Sequence, residues 1–201
     1  VYWRTFAQSK PDGWVLHGFC DLADNFKGKL PADLTQFGTP GALPYLLVEG
    51  FEQGEWAYTC DTSLPQVNET DTVIVADGSR SGLALRGKSG ALGSTLLCYR
   101  PKGKVDSDFL YYLLQSFFAF TNTATIGGAV PHLDKRLLDS LQLFVPASTD
   151  EQTAIGKRLK SVDEALVAEK AKLIAASRLK TALMQQLLTR GIPGRHSRFK
   201  Q

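Results

Sequence analysis

Gly82-Leu83-Ala84-Leu85-Arg86-Gly87-Lys88-Ser89 has the residue types and spacing of a phosphate-binding loop. In such a loop backbone N–H groups ring the phosphates, the lysine meets the terminal phosphates and the serine hydroxyl meets magnesium. That chemistry needs a strand before the loop and a helix after it, with the helix N-terminus facing the anion. Here Gly90 and Gly93 follow, and the next element reads as a strand ending at Pro101. The companion apolar strand ending in Asp, Val73 to Asp77, lies before the loop rather than downstream. Gly78-Ser79-Arg80-Ser81-Gly82 has the glycines of a nucleophile elbow but an arginine in the nucleophile's place. His17 and Cys20 are three apart without a second pair to complete a metal site. No Asn/Asp-Pro-Pro-aromatic motif for base methylation and no paired metal carboxylates occur. The chain reads as a binder with no catalytic residues, no metal and no cofactor; a nucleotide hydrolase is the enzymatic alternative.

Two hundred and one residues at 43% hydrophobic content suffice for one good core with an appendage. No apolar run approaches a membrane span, and Val1-Tyr2-Trp3-Arg4 lacks a charged-then-apolar leader pattern, so a cytoplasmic protein without membrane contact is expected. Cys20, Cys60 and Cys98 are odd in number, widely spaced and set in apolar runs, which predicts free, buried thiols. The net charge of +3 conceals a segregation. Residues 30–79 hold eight acids and no Lys or Arg, whereas 78–105 hold Arg80, Arg86, Lys88, Arg100, Lys102 and Lys104 and no acid. Such a basic block is either a face that meets phosphate or a solvated loop.

The strands expected to carry these residues are Tyr45 to Val48, Trp56 to Cys60, Asp71 to Ala76, Thr95 to Arg100 and Leu141 to Val145. Asp106 to Phe120 reads as a helix with an apolar stripe of Phe109, Tyr112, Leu113, Ser116, Phe117 and Phe120, and a second short helix begins near Lys135. Many short strands with few helices predict an α+β domain on a strongly curved antiparallel sheet, spanning 1–147.

Residues 148–190 then form one long helix, followed by a basic tail at 191–201. Thr149-Asp150-Glu151-Gln152 has capping-box spacing, and Gly191 and Pro193 mark the end. Alternate steps of four and three from Ile155 reach Leu159, Val162, Leu166, Glu169, Leu173, Ala176, Lys180, Leu183 and Leu187, a heptad repeat with two polar members. At 1.5 Å per residue the helix is roughly 60 Å long, too long for a domain of this size to cover. It calls for a partner helix, and an antiparallel pair would set Glu169 and Lys180 against each other.

Gly127-Gly128-Ala129-Val130-Pro131-His132-Leu133, then Leu141 to Pro146, then Glu151-Gln152 and a helix ending Leu187-Leu188-Thr189-Arg190-Gly191 resemble one passage in the DNA-specificity subunits of type I restriction-modification enzymes. It is the passage from a target recognition domain into the helical spacer. Asp71 to Val75 with Gly78-Ser79 is similar to the strand and turn within that domain. Family members usually carry two recognition domains and two spacers that pair antiparallel; this chain has one of each and no internal repeat. The resemblance therefore implies either a truncated product or a natural half-length subunit, and the unpaired heptad supports the second, whose long helix would form an antiparallel coiled coil in a homodimer through Ile155, Leu159, Val162, Leu166, Leu173, Ala176, Leu183 and Leu187.

It further implies a non-catalytic protein that recognises double-stranded DNA and docks methyltransferase subunits, and through them a restriction subunit. A two-fold dimer would read a gapped palindrome. The expected DNA contacts are the basic glycine-rich connection with Ser79, Arg80, Ser81, Arg86 and Lys88, together with Lys27, Lys29, Thr125, Gly127 and Gly128. Arginine and lysine read guanine in the major groove, and glycine lets backbone approach phosphate. The rival is a coiled-coil adaptor that never touches DNA, supported by twelve basic against fifteen acidic residues, net −3, over 1–149.

Overall fold

A computed structural model describes residues 11–117 and 132–190. The chain divides into two compact units, residues 1–157 and residues 158–201. The first is α+β: β1 (Trp14–Gly18), α1 (Phe19–Leu22), β2 (Ala23–Lys27), β3 (Leu43–Leu46), α2 (Val48–Gln53), β4 (Ala57–Thr59), β5 (Gln66–Val67), β6 (Thr72–Val75), β7 (Ala84–Arg86), β8 (Gly90–Leu92), β9 (Leu96–Pro101), α3 (Ser107–Ser116), α4 (Lys135–Asp139) and β10 (Gln142–Pro146). The last helix is α5 (Thr149–Arg190). Antiparallel pairing dominates, but the strands divide into three sheets rather than one: a β1-β10 ribbon, a sheet ordered β2-β9-β6-β7, and a sheet ordered β4-β3-β8-β5 in which β3 and β8 run parallel.

The β2-β9-β6-β7 sheet is the middle layer, which explains why β6 is apolar without alternation. Successive strand residues face opposite sides. Ile74 joins Phe19, Leu97, Tyr99 and Leu110 in one core, while Val73 and Val75 join Leu46, Leu92, Leu96 and Cys98 in the other. With both faces covered, every β6 side chain is apolar or, like Thr72, buried. Cys98 fits the expected buried thiol, and burial raises its pKa; Cys20 and Cys60 are exposed, against expectation.

Helix α3 starts at Asp106, whose carboxylate accepts from the Phe109 N–H at 2.9 Å. It buries Phe109, Leu110, Tyr112 and Leu114, while the predicted stripe member Ser116 is exposed; Phe120 lies outside the described residues. The start of α5 also differs from expectation. Ser148 rather than Thr149 supplies the cap, its hydroxyl accepting from the Glu151 N–H at 3.4 Å. Gln152 does not reach back to the cap. It is 1% exposed; its Nε2 donates to the carbonyls of Pro146 (2.8 Å) and Lys104 (3.2 Å), and its Oε1 accepts from the Asp106 N–H (2.8 Å). The first turns of α5 thus belong to the globular unit, and Ile155 packs against its core. Ile155 is accordingly part of an intrachain core and not of an open helix face.

Candidate nucleic-acid interface

Strand register sorts the expected contact residues into two groups. In the middle sheet Val75 pairs with Leu96, and Lys27 with Leu97, whereas Thr72 pairs with both Arg86 and Tyr99. Lys27 and the turn after β6 therefore lie at one end of the sheet, and Arg86 and Arg100 at the other.

At the first end, the β6–β7 turn is held by glycines in left-handed conformations, Gly78 at φ 105° and Gly82 at φ 94°. Ser81, expected to face DNA, is instead fully buried, and its hydroxyl donates to the carbonyls of Gly78 at 2.6 Å and Ala76 at 3.2 Å. A side chain spent on closing its own turn is not available to DNA. Ser79 and Arg80 are exposed, and Arg80 forms an ion pair with Glu52. Asp77 is shared: Lys27 Nζ lies 3.2 Å from Oδ2, and His132 Nδ1 lies 2.7 Å from Oδ1. Backbone contacts fix the same arrangement, since Asp77 and His132 form a β-bridge and the Leu133 N–H donates to Ala76 O at 2.8 Å. The carbonyl of Lys29 accepts from the buried Tyr45 hydroxyl at 3.0 Å, and its ammonium has no partner among the described residues.

At the other end Arg86 joins β7 to α3. It pairs with Asp108 and lies over the rings of Tyr111 at 4.3 Å and Tyr112 at 5.0 Å. Burial works against its charge, but hydrogen bonds to Tyr112 and Asp108 outweigh that and raise its pKa. Asp108 also touches the first turns of α5, where a Cβ on Gly156 would sit 2.9 Å from Asp108 Cβ. Arg86 thus braces the root of the long helix. Lys88 sits over the Trp56 ring at 5.1 Å and has no carboxylate partner among the described residues.

The phosphate-loop spacing has a structural explanation. The segment runs through β7 into β8 with no helix after it. A Cβ on Gly87 would lie 2.2 Å from the Asn68 carbonyl oxygen, so this glycine permits a close backbone crossing. Thr125, Gly127 and Gly128 lie outside the described residues. His132 and Asp77 were absent from the expected contacts; their proximity across 55 residues has no local sequence signal.

Along α5 the heptad positions Leu159, Val162, Leu166, Leu173, Leu183 and Leu187 are 41–68% exposed, and Ala176 is exposed as well. A second apolar set, with Val167, Ile174 and Leu188, is exposed beside them. Among the described residues no helix is long and apolar enough to cross a membrane.

Comparison with known proteins places these two units in context. The chain is 29% identical over 194 residues to the type I restriction enzyme MjaVIII specificity subunit of Methanocaldococcus jannaschii, an alignment covering 95% of this chain and 45% of that protein. It shares its fold with the S subunit of a type I restriction-modification system from M. genitalium (TM-score 0.64, 19% identity, 91% of this chain and 48% of that one). The HsdS subunit from Thermoanaerobacter tengcongensis is similar too (TM-score 0.62, 17% identity, 92% and 47%). The chain spans about half the length of each. Residues 11–176, running from the start of β1 well into α5, match the model of one family, and the chain belongs to it: the type I restriction modification DNA specificity domain.

Proposed function

We propose that this chain is the DNA-recognition half of a type I specificity subunit, reading one half-site with its globular unit and pairing through α5 with a second copy. The family match across both units carries the reading. An antiparallel pair of α5 helices would bury the exposed heptad leucines, and the two-fold relation would place two recognition units on a gapped palindrome. The second apolar set at Val167, Ile174 and Leu188 is more than a two-stranded seam requires, and it supports docking of a methyltransferase helix beside the pair. Such methyltransferases would bring the restriction subunit, and the specificity chain itself would contribute no catalytic residue. The assembly would act in the cytoplasm.

DNA contacts are assigned to Lys27, Lys29, Ser79, Arg80 and Lys88, with Thr125, Gly127 and Gly128 retained from the sequence reading. Arg86 takes a bracing role instead. A map of methylated bases in DNA from cells expressing the chain with its neighbouring methyltransferase tests the proposal. A symmetric gapped motif is expected. An asymmetric motif would overturn the homodimer, and no new methylation would favour the coiled-coil adaptor, whose support is the net −3 of residues 1–149.

A further inference from the structure

We infer that His132, Asp77 and Lys27 form a base-reading site in which Asp77 positions the other two for a single base pair. The inference rests on the DNA-recognition reading and adds a residue, His132, and a chemistry to it. The three come from separate parts of the chain: Lys27 ends β2, Asp77 follows β6, and His132 precedes α4. The β-bridge between Asp77 and His132 sets their backbones, and the carboxylate then engages both partners, one oxygen each. The Lys27 and His132 side chains remain 57% exposed, while Asp77 is 22% exposed. The less exposed member holds and the more exposed members present.

A cavity of about 440 Å³ adjoins them, with Phe26, Leu97 and Leu133 as apolar lining and Lys135 as a further cation. Acidic groups nearby are spoken for: Asp139 pairs with Lys135 at 3.1 Å and accepts from Asn25 Nδ2 at 3.2 Å.

The hydrogen-bonding pattern specifies the ligand. A carboxylate only accepts, so the proton of a neutral His132 ring sits on Nδ1, leaving Nε2 as an acceptor with no partner among the described residues. Lys27 has three ammonium protons, only one of which Asp77 needs. An acceptor beside a donor matches a major-groove edge that presents an exocyclic amine next to a carbonyl oxygen. Adenine N6 with thymine O4, and cytosine N4 with guanine O6, are such edges, and the order of acceptor and donor across the pair separates A or C from G or T on a given strand. The site is therefore specificity-determining, in contrast to Lys88 and Lys29, which have no carboxylate partner among the described residues and suit phosphate.

The test selects bound duplexes from a randomised library with the full chain and compares wild type with His132→Ala, Asp77→Asn and Lys27→Met. In wild type one position of the motif should favour A or C over G or T on one strand. His132→Ala and Asp77→Asn should both reduce discrimination at that same position by about tenfold and leave the other positions unchanged. Lys27→Met should relax it there too. A purely structural role would lower binding to all sequences alike and leave these ratios intact. Should Asp77→Asn unfold the turn, the two variants at exposed side chains still decide the matter. Unchanged preferences at every position in bound variants would overturn the base-reading site while leaving DNA recognition standing. Selection of no motif by wild type would overturn both.

Discussion

Replacing Gln152 by methionine should loosen the root of α5 more than any exposed substitution along that helix. The side chain is 1% exposed and makes three hydrogen bonds, to Asp106 N–H, Pro146 O and Lys104 O. Methionine fills a similar volume but offers no amide donor or carbonyl acceptor. Each buried group left unpaired costs about 1–3 kcal/mol. Counting only the Asp106 N–H and the Pro146 carbonyl, since Lys104 is an exposed residue, the loss is about 2–6 kcal/mol. That is a large part of the roughly 5–15 kcal/mol typical of a folded domain. For a unit of about 150 residues, each kcal/mol lowers Tm by about 2–4 °C, giving a fall of about 4–24 °C. Urea unfolding followed by tryptophan fluorescence is a suitable assay, because Trp14 packs edge-on against Phe109 and donates to Glu151 at 3.3 Å. Gln152→Glu keeps an acceptor for Asp106 N–H but loses both donors and buries a charge, so it should destabilise at least as much. A loss under about 1 kcal/mol in both variants would refute the argument that Gln152 holds this joint.

Other expectations concern charges, glycines and the helix face. Arg100→Ala should cost about 3–5 kcal/mol in urea titrations, because Asp71 is fully buried and receives two guanidinium hydrogen bonds at 2.7 and 3.0 Å; Asp24→Ala, which removes an exposed partner of Lys102, should cost under about 1 kcal/mol. Gly87→Ala should lower the unfolding midpoint, since the new methyl would collide with the Asn68 and Asp71 carbonyls, and this would occur equally with or without added nucleotide. Asp33 and Asp61 have lowered pKa values, from hydrogen bonds to Thr59 and Cys60 and to Ser63 and Ala32 respectively. A depressed carboxylate pKa stabilises above its unfolded value and is lost as pH falls through the folded one. The loop these acids anchor should therefore stay closed at neutral pH and release below about pH 4, which the Ala32 and Cys60 amide shifts in NMR would report. Leu166→Glu should convert a dimer to a monomer in sedimentation velocity while leaving the urea midpoint of the globular unit unchanged.

Local signals were legible wherever one element's own physics decided the outcome. The bounds of α5 follow from a 42-residue stretch with no proline and a breaker beyond its end, and β6 follows from Val73-Ile74-Val75 between a turn and a glycine. The basic block was equally visible as composition. Its division was not, because register places Lys27 at one end of a sheet and Arg86 at the other, and register arises from which strands pair across dozens of residues. Ser81 shows the same limit. Its sequence neighbours are polar and basic, yet the turn folds its hydroxyl inward onto the carbonyls that turn creates. The spacing of Gln152 fits a cap, while tertiary contact offers it an amide and a carbonyl from Asp106 and Lys104, more than forty residues away, and the carbonyl of Pro146 at the end of β10. Sequence by itself therefore determined the most apolar strands, the long helix with its apolar repeat, and the family, while short strands such as β5, β7 and β8 exist only through the partners they pair with. Tertiary structure alone decided which charges are neutralised and which stay exposed, because a carboxylate's partner is chosen by distance in space, as Asp77 is by Lys27 and His132.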